Sequence, residues 1–371
     1  MRVKSLSIIL IIIFLHSCDK YAPVCIIEGC TDPNACNYNS EASIDDGSCE
    51  EATPLVLFYP SNFPTINIPE FNPLTQEGVS LGRRLFYDPI LSSDNTVSCA
   101  SCHKQEYAFS DNNQFSFGVN QSEGNRHAPT IINPGWQLLF DWDGKSNSLE
   151  EQASRPILSD IELHNNNWSE VINRLEMSDL YINFFCAAFG TETIDSSHVL
   201  MALAQFERTL VSSNSRFDKW LNGEIMFSDE ELDGFDIYVT ERGDCFHCHP
   251  IGLFIDNLFH NNGLDSDFQD LGRYDITGNP LDQGLFKSPT LRNIEFSAPY
   301  MHDGRFATLE EVINHYNFGG YDSPTVDPLM KYVGVGLLLS DDEKANLKTF
   351  LLTLSDEDFI NNSNFSTPFN E

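Results

Sequence analysis

The sequence has little positive charge. Its 371 residues include 21 lysines and arginines against 55 aspartates and glutamates, which gives a formal net charge of −34 and a pI of about 4.4. This strongly negative net charge argues against a basic patch that would bind nucleic acids or anionic membrane surfaces. We therefore expect neither as a partner. The acidic surface suits a positively charged partner protein, and it equally suits an exported protein adapted to salt.

Long apolar runs are also scarce. The main one is "LSIILIIIFL", ten residues that follow Arg2 and Lys4. This length is typical of a signal peptide and too short for a transmembrane helix. The sequence "LHSC" that follows resembles a bacterial lipobox, which predicts a lipoprotein signal peptide over residues 1–17 and lipidation of Cys18. We expect a periplasmic or cell-surface protein, attached to a membrane only through this lipid. The alternative is an ordinary signal peptide followed by an incidental cysteine.

An alternating pattern of strands and helices is absent as well. Instead, "SHVLMALAQFERTLVS" and "SDDEKANLKTFLLTL" carry apolar residues at helical spacing, and Ser340 is the predicted N-cap of the second helix. The sequence therefore predicts a mainly α-helical fold.

Cysteine is plentiful by contrast. Cys25, Cys30, Cys36 and Cys49 lie in a short, turn-rich, acidic stretch. So few residues cannot build a core, and in an exported protein disulfides would replace it. We predict a small disulfide-rich spacer over residues 18–55 and leave its pairing open. Cys186, within "YINFFCAAFG", is predicted to be a buried free thiol.

Two Cys-x-x-Cys-His motifs occur further along the chain. "SCASCHKQ" and "GDCFHCHP" supply Cys99, Cys102 and His103, and Cys245, Cys248 and His249. In this motif both thiols add to haem vinyl groups and the histidine binds iron. Zinc would need further paired ligands, and a thioredoxin motif lacks the added histidine. We predict two covalently attached c-type haems, one in each of two domains, 56–222 and 223–371.

Residues 74 to 355 resemble the bacterial diheme cytochrome c peroxidase and MauG superfamily. The resemblance rests on the two haem motifs and on further segments: "LGRRLFYDPILS", "RHAPTIINPG", "WDGKSNSLEEQASRPILSDIEL", "FERTLVS", "FKSPTLRNI" and "APYMHDGRFATLEEVINHY". It implies two cytochrome c-like haem domains packed together, with a peroxidatic haem in the N-terminal domain and an electron-transfer haem in the C-terminal domain.

The resemblance also implies catalytic residues. Trp142 matches a tryptophan that relays electrons between the haems, and Gln152, Pro156 and Glu162 match residues on the open face of the first haem. A carboxylate there can move a proton from the inner to the outer oxygen of peroxide, so that water leaves. Taken singly, these residues would be read as a core tryptophan and surface polar residues.

The first haem is predicted to be open. An alignment without gaps places Val119 where many of these peroxidases have a distal histidine ligand, and valine cannot bind iron. His127 matches an asparagine that helps bind calcium between the domains, although calcium prefers oxygen ligands. The resemblance therefore allows an interdomain calcium only if water and backbone carbonyls near Ser297 and Pro299 complete its shell. His127 as an iron ligand is the alternative.

The second haem is predicted to have a tyrosine ligand. "TLEE" reads as a capping box formed by Thr308 and Glu311, so a helix should begin there. Tyr316 falls on its apolar face, one residue beyond His315, which faces elsewhere. The resemblance places the usual methionine ligand fourteen residues after His302, which is Tyr316 here. The predicted iron ligands are therefore His103 for the first haem, and His249 and Tyr316 for the second.

Two neighbours of this helix complete the prediction for the second haem. Met301 is the fallback ligand and would give an ordinary high-potential centre. His302 is expected to be a polar neighbour of the haem rather than a ligand. The remaining alternative for Tyr316 is a core phenol that is hydrogen-bonded to another group.

Three functions follow from these predictions. The first is an exported peroxidase that reduces hydrogen peroxide with electrons from a small cytochrome or cupredoxin. The second is a MauG-like oxidase that uses stored high-valent iron on a protein or small-molecule substrate. Gly243 stands where MauG has a tryptophan that contacts its substrate, so the same substrate cannot be assumed. The third is an electron-transfer cytochrome without enzymatic activity. A homodimer is compatible with each.

Overall fold

The protein is described here by a computed structural model that covers residues 26–33 and 35–370. The predicted signal peptide, Cys18 and Cys25 lie outside the described residues. Its helices are α1 (Gln76–Tyr87), α2 (Cys99–Cys102), α3 (Leu149–Leu158), α4 (Trp168–Glu176), α5 (Asp179–Phe189), α6 (Ser196–Arg208), α7 (Arg216–Leu221), α8 (Asp229–Val239), α9 (Tyr274–Thr277), α10 (Leu309–Phe318), α11 (Asp341–Leu352) and α12 (Glu357–Ile360). None of these helices has the length and hydropathy needed to cross a membrane.

The sheet content of the described residues is small. Strands β1 (Phe259–His260) and β2 (Phe286–Lys287) form one antiparallel pair, in which Phe259 lies opposite Lys287. The predicted mainly α-helical fold is therefore confirmed.

The first hydrophobic core lies where α1 crosses α6. Gly82 allows the close approach, because a Cβ at this position would lie 1.9 Å from the carbonyl oxygen of Ala202. Leu81, Leu85 and Phe206 are fully buried beside the crossing, and α3, α4 and α5 extend the same core. The helix predicted around "SHVLMALAQFER" is thus confirmed as α6.

The second core repeats this arrangement with α8 and α11. A Cβ at Gly234 would lie 2.0 Å from the carbonyl oxygen of Asn346, so a glycine again sets the helix spacing. Tyr238 and Phe350 are fully buried between the two helices. Ser340 caps α11 as predicted, and its side chain accepts a hydrogen bond from the backbone N–H of Glu343.

The packing of the two cores does not follow the predicted domain boundary residue by residue. Phe217, within the predicted range 56–222, packs in the second core. Phe359 and Phe365, within the predicted range 223–371, pack in the first. The C-terminal segment therefore returns to the N-terminal half, and the boundary at 222 and 223 stays a prediction.

Two disulfides organise the N-terminal module. Cys30 is bonded to Cys49 within the module, and Cys36 is bonded to Cys186 on α5. The prediction that Cys186 is a free thiol was therefore wrong. The apolar sequence around this cysteine correctly indicated burial, but its partner is 150 residues away, and no local pattern reveals such a pairing. The second disulfide fastens the module to the N-terminal half.

Candidate haem sites

The first motif is a single helical turn followed by its histidine. Cys99 and Cys102 begin and end α2, and the side chain of Ser101 accepts a hydrogen bond from the backbone N–H of Ser98. His103 Nδ1 lies 2.8 Å from the carbonyl oxygen of Phe109. Since a carbonyl only accepts, Nδ1 carries the proton and Nε2 is left for iron. Burial lowers the pKa of His103, which favours the neutral ring that metal binding requires.

The second motif has the same arrangement. His249 Nδ1 lies 3.2 Å from the carbonyl oxygen of Phe254 and 3.2 Å from Ser288 Oγ. The Ser288 hydroxyl donates to the carbonyl of Cys248 at 2.8 Å, so it accepts from the ring. Nε2 is again the nitrogen available to a metal. Burial lowers the pKa of His249 as well.

Each motif borders its own cavity. The four cysteines of the motifs are free thiols, and each pair lines a cavity together with the histidine that follows it. Two nearby thiols and a neutral imidazole on one cavity wall fit a covalently attached haem. When bound, such a haem supplies an iron that cycles between oxidation states.

The first cavity brings the predicted catalytic residues together. Gln152 and Pro156 of α3 border it, as do Glu162 and Trp142. The loop after α3 folds back because the carbonyl of Pro156 accepts from the backbone N–H of Leu163 at 3.1 Å. This return carries Glu162 to the cavity that His103 also borders.

Glu162 is held by contacts of its backbone. Its carbonyl accepts from Val119 N–H at 2.8 Å, and Gly118 packs so closely that a Cβ there would lie 2.0 Å from the carbonyl oxygen of Ile161. The residue is exposed where it borders the cavity, although protein atoms lie close around its carboxyl. Desolvation by these atoms raises its pKa, Asp141 raises it further, and Arg155 opposes the shift. No sequence pattern indicates that a glycine is needed at position 118.

Val119 and His127 bear on whether the first site is open. Val119 is buried in the first core. Both ring nitrogens of His127 are engaged, with Nδ1 at 3.1 Å from the carbonyl of Asn113 and Nε2 at 3.0 Å from Ser110 Oγ. His127 is therefore not poised to bind iron. The ring of His127 offers only nitrogen atoms, and calcium prefers oxygen ligands, so this side chain does not fit a calcium site.

The second cavity is bordered by the apolar face of α10. Thr308 and Glu311 form the predicted capping box. The residues of the predicted inward face all line the cavity: Leu309, Val312, Ile313 and Tyr316. His315 points elsewhere, since its Nε2 lies 3.1 Å from the carbonyl oxygen of Asn262. The predicted separation of Tyr316 from His315 is confirmed.

Asn262 connects the two candidate ligands of the second site. Its Nδ2 donates to Tyr316 Oη at 3.2 Å and contacts Met301 Sδ at 3.5 Å. Burial raises the pKa of Tyr316 to about 12, so the phenol is neutral unless a metal binds it. Both candidates border the cavity, and the choice of Tyr316 stays a prediction. Asn262 itself was missed, because no motif marks it.

His302 also borders the second cavity. Its ring stacks on Phe286 with the ring centroids 3.6 Å apart, and burial lowers its pKa. Its backbone carbonyl accepts from the N–H of His127 at 2.8 Å, which links the walls of the two cavities. The expected role of His302 as a polar neighbour stays a prediction.

Trp142 and Lys287 stand apart because, among the described residues, they alone line both cavities. The indole Nε1–H of Trp142 donates to the carbonyl of His127 at 2.8 Å, which fixes the ring. Its own carbonyl accepts from the N–H of Lys287 at 2.8 Å. Lys287 was not predicted, although it lies within "FKSPTLRNI".

A mainly helical chain with two such sites is a diheme c-type cytochrome in class. The family model of di-haem cytochrome c peroxidases matches residues 76–226. The methylamine utilization protein MauG of Methylorubrum extorquens is 38% identical over 293 residues, covering 78% of this chain and 81% of that protein. Cytochrome c551 peroxidase of Nitrosomonas europaea is 35% identical over 259 residues, covering 68% and 76%.

A solved structure agrees with these relatives. The crystal structure of a MauG-like protein associated with microbial copper homeostasis is 37% identical, with a TM-score of 0.78, and the match covers 84% of this chain and 98% of that one. The chain belongs to the diheme cytochrome c peroxidase and MauG family. It is an oxidoreductase of that family, and the family implies two haems.

Proposed function

We propose that this protein is an exported diheme peroxidase that reduces hydrogen peroxide to water at the N-terminal site, with electrons relayed through the C-terminal site. One observation carries the proposal. His103, with Nε2 free, and Glu162, a carboxyl whose pKa is raised, border the same cavity. In the described residues no other imidazole with a free nitrogen and no thioether borders it, which supports an open haem in the oxidised protein.

Glu162 has the central chemical role in this proposal. It takes the proton from the inner oxygen of peroxide and returns it to the outer oxygen, which leaves as water when the O–O bond breaks. Two electrons from the donor and two further protons convert the remaining oxygen to the second water. A raised pKa brings the carboxyl closer to the working pH, where it can both accept and return the proton. Gln152 and Pro156 limit the space around the peroxide and orient it.

Trp142 is proposed to carry electrons between the sites. It borders both cavities and is held by hydrogen bonds at its indole nitrogen and at its carbonyl. A small cytochrome or a cupredoxin is the proposed donor to the second site. We also propose lipidation at Cys18, which would hold the enzyme on the periplasmic or cell-surface side of a membrane. Replacing Cys18 with serine should release the protein from the membrane fraction.

A MauG-like oxidase is the second candidate. Tyr316 favours it, since an anionic oxygen ligand stabilises higher oxidation states of iron than a thioether does. The protein would then keep oxidising equivalents from peroxide and pass them to a protein or small-molecule substrate. Gly243 lies on the wall of the second cavity and offers no side chain for the relay to a substrate.

Stoichiometric peroxide, added to the fully oxidised holoprotein, tests the proposal. Visible and near-infrared spectra should change rapidly without prior reduction, and a reduced small cytochrome should then be oxidised catalytically. A persistent oxidised species that reacts poorly with the cytochrome would favour the MauG-like candidate. A reaction that begins only after one electron is added would contradict an open first site.

A further inference from the structure

Lys287 is a cation that joins the two halves of the molecule. Strand β2 places its backbone in the C-terminal half, opposite Phe259. Its ammonium donates to Gln137 Oε1 at 2.6 Å and to the carbonyl of Leu139 at 3.0 Å, both in the N-terminal half. The side chain therefore spans the region between the cavities, beside Trp142.

The other lysine and arginine side chains on the cavity walls are ion-paired. Arg126 borders the first cavity and pairs with Asp143 at 2.6 Å and Asp270 at 2.7 Å. Lys331 borders the second cavity and pairs with Asp244 at 3.1 Å. Their charges are largely compensated where they lie.

Lys287 has no such partner. Both hydrogen-bond acceptors of its ammonium are neutral oxygens, and it forms no ion pair with any carboxylate in the described part of the chain. Burial accordingly lowers its pKa to about 8, with only Asp141 opposing the shift. At neutral pH it still carries a positive charge in surroundings that screen charge weakly.

We infer that Lys287 raises the reduction potentials of both haem sites by placing a positive charge without an ion-pair partner between them. Oxidation of a haem adds positive charge, which a nearby cation disfavours, so the cation raises the potential. Because Lys287 borders both cavities, both sites should respond. The inference deepens the proposed electron relay and rests on haem binding at these two sites.

Spectroelectrochemical titration of the holoprotein, without peroxide, tests this role. Lys287→Met keeps most of the length of the side chain and removes its charge, and should lower the midpoint potentials of both haems. Lys287→Arg keeps the charge and should stay close to the wild type. Lys331→Met is the matched control, because it removes a paired lysine from a cavity wall, and it should shift the potentials far less.

Several results would overturn the inference. One is an unchanged pair of potentials in a Lys287→Met protein with wild-type spectrum and melting temperature. Equal shifts in Lys287→Met and Lys287→Arg would show a structural role, and an equal shift in Lys331→Met would show an effect of net charge. The titration does not use peroxide. Failure of the protein to reduce peroxide would therefore disprove the proposed function, while the measured potentials would still test the role of Lys287.

Discussion

The two haem sites are alike in their motifs and differ in what faces them. In both, a histidine follows two cysteines and donates a hydrogen bond from Nδ1–H to a phenylalanine carbonyl. The acceptor is Phe109 in the first site and Phe254 in the second. In both, two helices cross through a glycine beside the site. These shared features would hold a haem and imply nothing about its reaction.

The difference lies in the remaining walls. The first cavity has Glu162, whose pKa desolvation raises, whereas the second has Tyr316 and Met301 beside Asn262. A carboxyl that exchanges protons suits a site that splits peroxide, while a phenol or thioether suits a site that passes electrons. The function of each site therefore depends on residues outside its haem motif.

Replacing Glu162 with glutamine should have the largest effect. The amide keeps the shape and cannot take a proton, so the rate of reaction with peroxide should fall by about 10²–10⁴-fold. Stopped-flow spectra of the oxidised holoprotein would measure it. Glu151→Gln is the matched control, because Glu151 lies on α3 without bordering the cavity and should be silent. A rate near wild type in Glu162→Gln would remove this carboxyl from the mechanism.

Breaking the Cys36–Cys186 disulfide should destabilise the protein more than breaking Cys30–Cys49. The bond closes a loop of 150 residues, so its loss should lower the free energy of unfolding by about 5 kcal/mol, against about 3 kcal/mol for Cys30–Cys49, which closes 19 residues. Urea denaturation of the paired serine variants would compare them. Equal losses would contradict an anchoring role for Cys36–Cys186.

Features with a local pattern could be predicted from the sequence. The capping box at Thr308 and Glu311 fixed the start of α10, and the helical period then placed Tyr316 on the cavity and His315 away from it. The haem motifs are equally local, because the cysteines and histidine lie within one turn. Such predictions depend on the geometry of a single element.

Features that depend on distant packing could not be predicted. Cys186 finds its partner far away in the chain, and Asn262 reaches Tyr316 across 54 residues. Lys287 borders both cavities only because the two halves pack together. The positions of Gln152 and Glu162 came from family resemblance, since one carboxyl and one amide carry no signal by themselves.

Replacing Tyr316 with methionine should make the second site more like an ordinary electron-transfer centre. A neutral thioether in place of a phenolate should raise the midpoint potential of that haem by on the order of 0.1 V or more and leave the first haem nearly unchanged. Met301→Leu separates the two candidate ligands and should have little effect. If Met301→Leu shifts the potential and Tyr316→Met does not, Met301 is the ligand.

The smallest effect we predict is a shift in pH dependence at the first site. Glu162 must be ionised to take a proton, so the peroxide reaction should slow as pH falls through its pKa, which lies above the usual range for glutamate. Asp141→Asn removes a neighbouring negative charge and should move this acid limb to lower pH. Arg155→Met removes a positive charge and should move it to higher pH.

These opposite shifts distinguish Glu162 from other acids near the cavity. Asp141 and Arg155 are the two charged groups that perturb the pKa of Glu162 in opposite directions, and they pair with each other at 3.6 Å. If disruption of that pair acted only on the fold, both variants would move the limb the same way. The acid limbs of the two variants should move in opposite directions, and Glu162→Gln should show no such limb. This result would assign the proton transfer to Glu162 and to the first site alone.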